Sequence, residues 1–399
     1  MTDSSPIENT LVQLTIFSIP FGVFSVETGI VNISLPNMLI ILTTLYLTAL
    51  TYYNGKITIA KVQVLVFVLF CTVLATILTT TLVQQGSLRR LVTYIGYLLV
   101  AIILFLNIKS ISDAERVLRA AFLSAVAISV LTVIHSLTYP VGLPFGQAYL
   151  GQRTVVGLTI PFQRTLGLPN ISYGGFGMML MIATPYYLYK GIKNRSKGIL
   201  LAVLVVAFAI MISQSRSTWA ATSVAIFIII TTYILKRYNR KVKIAYVFGI
   251  LTPALTLLPS IVEALISIRS GSLSSRIEQY QVALNLLQSN PLTGVGLNNI
   301  SQYYSEYIIH SGFLRIGAES GIITLLLVTL IWIIPSLFTI KGIFSSSGHT
   351  MIRTGVIAGI AAMAIEANIS PGFSKAPWIL LATGLGIYFV AGSTTQTDS

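Results

Sequence analysis

Charge is scarce in this 399-residue chain: 9% of it is Asp, Glu, Lys or Arg, and only 11 residues are acidic. Soluble domains carry roughly a quarter charged residues, so this balance, beside 54% hydrophobic residues, excludes an ordinary water-soluble globule. Cysteine is almost missing. The single Cys71 can close no intrachain disulfide and build no thiolate metal cluster. Only three histidines occur, and no D-x-D, H-x-x-x-H or grouped carboxylates accompany them, so neither a catalytic divalent metal nor any other cofactor is expected. The G-x-S-x-G elbow and the G-x-x-x-x-G-K phosphate loop are absent too, which argues against a serine hydrolase and against soluble nucleotide as donor. There is no internal repeat and no low-complexity tract. The opening "MTDSSPIENT" lacks a basic n-region and a cleavage site, so the first helix is expected to be the insertion signal.

What the chain has is apolar length. A bilayer core of about 30 Å needs about 20 apolar residues per helix. Apolar runs and loop punctuation predict about twelve spans, at 9–26, 35–53, 62–84, 91–107, 117–138, 171–189, 199–214, 217–235, 244–262, 312–340, 351–369 and 376–392. The expectation is an all-α polytopic transmembrane helix bundle, residues 1–399 forming one integral membrane domain. Two gaps exceed a turn: 139–170, rich in Gly and Pro, and 263–311, a mostly helical loop between spans nine and ten.

The basic residues orient this bundle. With a cytoplasmic N-terminus, sixteen of the 25 Lys and Arg fall in inner loops, as ten lysines and six arginines, which satisfies the positive-inside rule. The net charge of +14 then reports topology and attraction to anionic membrane lipids, and no nucleic-acid partner is expected. Both termini are expected in the cytoplasm of a cell-membrane protein, and both long loops outside. The other nine basic residues are eight arginines, Arg89, Arg90, Arg153, Arg164, Arg216, Arg269, Arg276 and Arg315, with Lys375. Arginine's rigid donor fork matches phosphate and carboxylate, so an outward arginine set points to an anion site. Each arginine alone could equally snorkel or pair locally.

Three stretches concentrate the chemistry. "ISQSRSTWAA" sets Arg216 in a turn of two or three residues between spans seven and eight, at the depth of a lipid phosphate, although an anchoring arginine in a polar turn fits as well. "SLSSRIEQYQVALNLLQSNP" reads as an amphipathic outer helix opened by a capping box, Ser275 with Glu278, so that Arg276 is expected in its first turn beside free N–H groups. Pairing with Glu278 or Gln279 is the alternative. "HSGFLRIGAESG" then puts His310 at the start of span ten, with Arg315 and Glu319 as an i,i+4 pair more suited to neutralising each other than to catalysis. A histidine is the side chain best suited to take a proton near neutral pH. His349 falls in an inner loop, and His135 ends the fifth span as a weaker candidate.

"SQSRSTW", "SSRIEQYQVALNLLQSNPLTGVGLNN" and "HSGFLRIGAESGI" together resemble, in order and spacing, the O-antigen ligase and O-antigen polymerase superfamily over roughly 205–325. "LGLPNISYGGF" is similar to a segment that opens the sixth span of such proteins. The resemblance implies a metal-independent, extracytoplasmic glycosyltransferase of surface polysaccharide biosynthesis. Its donor would be a polyprenyl-pyrophosphate-linked oligosaccharide and its acceptor a hydroxyl of a glycan, lipid or protein. It implies His310 as catalytic residue, with Arg216 and Arg276 binding the pyrophosphate, and Arg153, Arg164, Arg315 and Glu319 as accessory positions. Ligase and polymerase stay open between them. The alternative from another class is a transporter for an anion or lipid-linked sugar. That reading calls for broken, polar helices at the midplane, which "LLAVLVVAFAIM" and "ATSVAIFIIITTYIL" do not supply.

Overall fold

The computed structural model describes residues 6–21, 25–27, 32–54, 61–141, 154–155, 158–159, 164–166, 173–238, 242, 245, 270–304, 309–344, 349–369 and 376–393. The described chain is a helical bundle. Its helices are α1 (Pro6–Ser18), α2 (Leu35–Asn54), α3 (Lys61–Val83), α4 (Leu88–Asn107), α5 (Ile111–Leu137), α6 (Tyr173–Met181) and α7 (Thr184–Asn194), followed by α8 (Lys197–Ser213), α9 (Arg216–Arg237), α10 (Ser270–Ser289), α11 (Ile300–Tyr303), α12 (Gly312–Phe344), α13 (Thr350–Ile369) and α14 (Ala376–Ser393). Two antiparallel ladders in the loops, β1 (Ser25–Glu27) with β2 (Asn32–Ser34) and β3 (Thr154–Val155) with β4 (Leu158–Thr159), leave the class helical.

Four described helices are long and apolar enough to cross a membrane: Ile111–Leu137, Arg216–Arg237, Gly312–Lys341 and Thr350–Ile369. Shorter apolar helices stand beside them at Leu35–Leu50, Phe67–Val83, Arg90–Leu104 and Lys197–Ser213. The chain is a multi-pass membrane protein, and the first and sixth of the expected spans are not single helices. The first expected span, 9–26, ends as α-helix at Ser18 and passes through a short 3-10 turn at Ile19–Phe21, because Pro20 cannot continue the helix. The sixth, 171–189, is broken in its middle into α6 and α7, and Pro185 starts the second piece. The ninth, 244–262, lies outside the described residues apart from Ala245, as do 167–170 of the sixth span's opening segment.

Threonines inside the apolar helices satisfy their hydroxyls locally. Thr44 donates to the carbonyl of Ile40 at 2.7 Å and Thr72 to that of Val68 at 2.8 Å, so these hydroxyls do not meet hydrocarbon unpaired. Helix α13 is the hub, packed against α6, α7, α9, α12 and α14. Its glycines make the approach close: a Cβ at Gly355 would strike the backbone of Tyr186, and one at Gly359 the Leu380 side chain. This small-residue face closes the break in the sixth span, where Ile182 and Ala183 are buried at 3% and 0% exposure.

The ion pairs sort into two ends. At one end, Lys109 meets Glu8 at 3.6 Å, and Lys190 meets Glu115 at 3.4 Å while the Tyr186 hydroxyl donates to Glu115 at 2.6 Å. These are residues expected inside. At the other end gather the outer groups, around a turn that replaces helical hydrogen bonds. Gly321 interrupts α12 with φ 87°, ψ 172°. The turn at 291–296 docks into the interruption: the N–H groups of Val295 and Gly296 donate to the carbonyls of Ala318 and Glu319 at 2.9 Å each, and the Ile322 N–H donates to Pro291 at 2.7 Å. Each carbonyl or amide freed by the kink thus regains a partner. The same turn holds the α3–α4 corner, since the Ser87 N–H donates to the Leu297 carbonyl at 2.9 Å and the Asn299 amide to the Gln84 carbonyl at 2.8 Å.

Gly321 has no room for a side chain, because a Cβ would collide with the Leu292 carbonyl, and its φ is the left-handed one. Gly321→Ala is expected to destabilise the protein by about 1–3 kcal/mol or more. Gly96→Ala, in a helical site where nothing lies within 4 Å, is expected to be neutral or mildly stabilising. Thermal unfolding of the two purified variants in detergent measures the contrast.

Candidate active site

The turn between α8 and α9 is built from its own hydroxyls. Helix α8 ends because Gln214 is left-handed, with φ 49°, and Ser215 is extended before Arg216 opens α9. Ser217 donates to Glu366 Oε1 at 2.9 Å, Thr218 donates to Ser215 Oγ at 2.9 Å, and the hydroxyls of Ser215 and Ser217 are 3.1 Å apart. The Trp219 indole N–H donates to the Ile210 carbonyl at 3.0 Å. Arg216 is therefore flanked on both sides by residues tied to one carboxylate. Glu366 comes from α13 and is fully buried, at 0% exposure. A buried carboxylate costs several kcal/mol unless hydrogen-bonded and compensated, so its burial here marks a specific use.

Arg164, expected as an accessory position, is buried, and its Nε donates to the Ser213 carbonyl at 3.0 Å, satisfying the exposed end of α8. Arg153 lies outside the described residues. Arg315 and Glu319 form the ion pair their spacing predicts, at 2.8 Å, with Glu319 fully buried. Arg315 also reaches Asn298 of the docked turn at 3.4 Å, so the pair supports the turn.

Helix α10 begins at Ser270, so Arg276 is in its second turn and the capping box expected at Ser275 and Glu278 does not form the helix start. Ser275 instead accepts a hydrogen bond from the Gln279 side-chain amide at 3.3 Å. The other end of that amide accepts from the backbone N–H of His310 at 3.2 Å. On the far side of His310, Ser311 starts α12: its Oγ accepts from the Leu314 N–H at 3.3 Å and its carbonyl from the Arg315 N–H at 2.9 Å. A short polar side chain at this position caps the helix. His310 is half-buried. Burial first, and the Arg276 guanidinium second, hold its imidazole below the ordinary histidine range near 6.5, so it is neutral and able to accept a proton at pH 7.

The two halves meet through α13. The Tyr280 hydroxyl, one turn beyond Arg276, donates to the carbonyl of Asn368, two residues past Glu366, at 3.2 Å. Arg276 and His310 thus stand at the same end of the bundle as Arg216. Residues 201–329 match the family model O-Antigen ligase, Wzy_C. The segment resembling O-antigen ligases covers about a third of the chain and holds Arg216, Arg276, His310, the Arg315–Glu319 pair and Gly321, while Arg164 and Glu366 lie outside it. No curated protein matches the chain.

Sequence reasoning passed over Glu366, Gln279 and Tyr280. Glu366 had a legible signal: an acid inside "AAMAIEANI" stands in an apolar helix where an ionisable group needs a reason. Tyr280 had none, because its partner is distant in sequence, and Gln279 stood only as a pairing alternative for Arg276, its bond to the His310 N–H lying 31 residues away. An apolar cavity of about 490 Å³, lined by Tyr189, Ile229, Tyr233 and neighbours, sits at the end of α9 opposite Arg216 and takes no part in this geometry.

Arg276→Ala removes a positive charge from beside His310, so the imidazole should titrate closer to 6.5. Histidine-labelled NMR of the protein in nanodiscs measures this, with the His135 and His349 signals as internal references. Ser217→Ala is expected to destabilise by about 1–3 kcal/mol by withdrawing a donor from the buried Glu366 carboxylate, and Ser217→Thr to restore it in thermal unfolding.

Proposed function

We propose that this protein is a metal-independent glycosyltransferase of surface polysaccharide biosynthesis. It transfers a glycan from a polyprenyl-pyrophosphate carrier to a hydroxyl acceptor at the outer face of the cell membrane. The observation that carries the reading is Arg276 acting on a half-buried, neutral His310, inside a segment that matches O-antigen ligases. In the reaction, the acceptor oxygen attacks the anomeric carbon, its proton passes to the His310 imidazole, and the bond from that carbon to the phosphate oxygen breaks. Polyprenyl pyrophosphate leaves with the bonding electron pair. Arg216 and Arg276 neutralise the charge that builds on it, which helps most where water is excluded. No hydride moves, and proton transfer and leaving-group stabilisation are supplied by side chains of the chain itself.

The orientation that fits places the Glu8–Lys109 and Glu115–Lys190 pairs on the cytoplasmic side and His310 outside, in keeping with the inner excess of lysine. A permeation pathway finds less support. Among the described residues, the break at 182–183 is packed shut against the glycine face of α13, and the one at Gly321 is filled by the docked turn.

The deciding assay mixes purified protein with a polyprenyl-pyrophosphate-linked oligosaccharide and a panel of glycan, lipid and protein acceptors, in the presence of a chelator. Released polyprenyl pyrophosphate and glycosylated product are both measured. Wild type should turn over undiminished by the chelator. His310→Ala should lose about 10²–10⁴-fold in kcat, the range of a positioned general base. Arg216→Ala should raise the donor KM and lower kcat. Equal product from all three proteins would remove His310 and Arg216 from the site.

A further inference from the structure

Resting on that reading, we propose that Gln279 is a positioning residue: its side-chain amide locks the His310 backbone onto the face of α10 that carries Arg276, and so sets the separation of base and cation. The amide is used at both ends. Its Oε1 accepts the His310 N–H at 3.2 Å and its Nε2 donates to Ser275 Oγ at 3.3 Å. The assignment of the two ends is forced, because a backbone N–H can only donate. Gln279 is 7% exposed, and Val282 and Ala283, three and four residues further along α10, belong to a buried cluster that also holds Ile309, the neighbour of His310. Arg276 and Gln279 are i and i+3 on the same helix, hence neighbours on one face.

The Gln279 bond is what ties the His310 backbone to α10 among the described hydrogen bonds. Ser311 fixes the chain to α12 on one side, and Gln279 fixes it to α10 on the other. At this end of the surrounding elements the charged groups among the described residues are Arg276 and Glu278 on α10, Arg315 and Glu319 on α12, and Glu366 on α13. Of these, Arg276 is the one that acts on the His310 ring. Cutting the Gln279 link therefore lets the imidazole move relative to the one cation that tunes it.

The test compares Gln279→Met, which keeps length and loses the acceptor, with Gln279→Glu, which keeps the acceptor. Each full-length variant is assayed with the polyprenyl-pyrophosphate oligosaccharide at its own optimal pH, and its His310 signal is titrated by NMR. Gln279→Met should lose about 10- to 100-fold in kcat with donor KM little changed, the cost of a misplaced reacting group. Its His310 should titrate closer to the ordinary value. Gln279→Glu should recover most of the turnover, with the acidic limb of its rate profile moved to higher pH by the added negative charge. Ser275→Ala, a milder cut that loosens the Gln279 amide, should shift both readouts in the same direction as Gln279→Met. An unchanged His310 titration and kcat in Gln279→Met, or a Gln279→Glu as impaired as Gln279→Met, would overturn the proposal. If wild type turns over no such donor, the reaction assignment falls, and the titration alone still decides the role of Gln279.

Discussion

The site depends on a backbone exchange: the turn at 291–296 supplies the hydrogen bonds that α12 gives up at Gly321. In a membrane protein a helix cannot be interrupted cheaply, because each freed carbonyl or amide would cost several kcal/mol away from water. Docking the turn removes that cost and joins three distant pieces. The turn directly follows α10, so it fixes the helix that carries Arg276. The kink lies within the first turns after His310, so it fixes the helix start that carries this residue. Through Leu297 and Asn299 the same turn also holds the α3–α4 corner.

Around that junction, two buried carboxylates do different work. Glu319 pairs with Arg315 next to the docked turn, where an ion pair in a dry environment holds geometry only because both charges are satisfied. Glu366 accepts from the serine beside Arg216 and so ties the α8–α9 turn to α13. Neither needs to touch substrate to matter. In the proposed role of Arg216, a guanidinium that binds pyrophosphate loses less entropy when its helix start is already fixed, and the hydroxyl and carboxylate network provides that fixing.

The helical, multi-pass class of the protein was legible in sequence, because composition and apolar length are chain-local signals. So was the Arg315–Glu319 pair, which is a matter of helical spacing alone. The start of α10 was not: Ser275 and Glu278 have the spacing of a capping box, but the helix runs on to Ser270, and Ser275 bonds Gln279 instead. The broken sixth span was hidden as well, since its apolar run is continuous and the break is stabilised by glycines of α13 nearly two hundred residues away. Glu366 could have been singled out as a lone acid in an apolar helix. Gln279 could not, because its value lies in a contact 31 residues away.

In the proposed mechanism His310, Arg276 and Arg216 face one anion. Titrating a short-chain prenyl pyrophosphate into the histidine-labelled protein tests it most directly. Binding should shift the His310 signal and raise its titration toward higher pH, since a phosphate beside the imidazole favours its protonated form. The shift should vanish in Arg216→Ala, and the His349 signal should stay still throughout. Saturable binding that leaves His310 unmoved, or a shift that survives loss of Arg216, would contradict the claim.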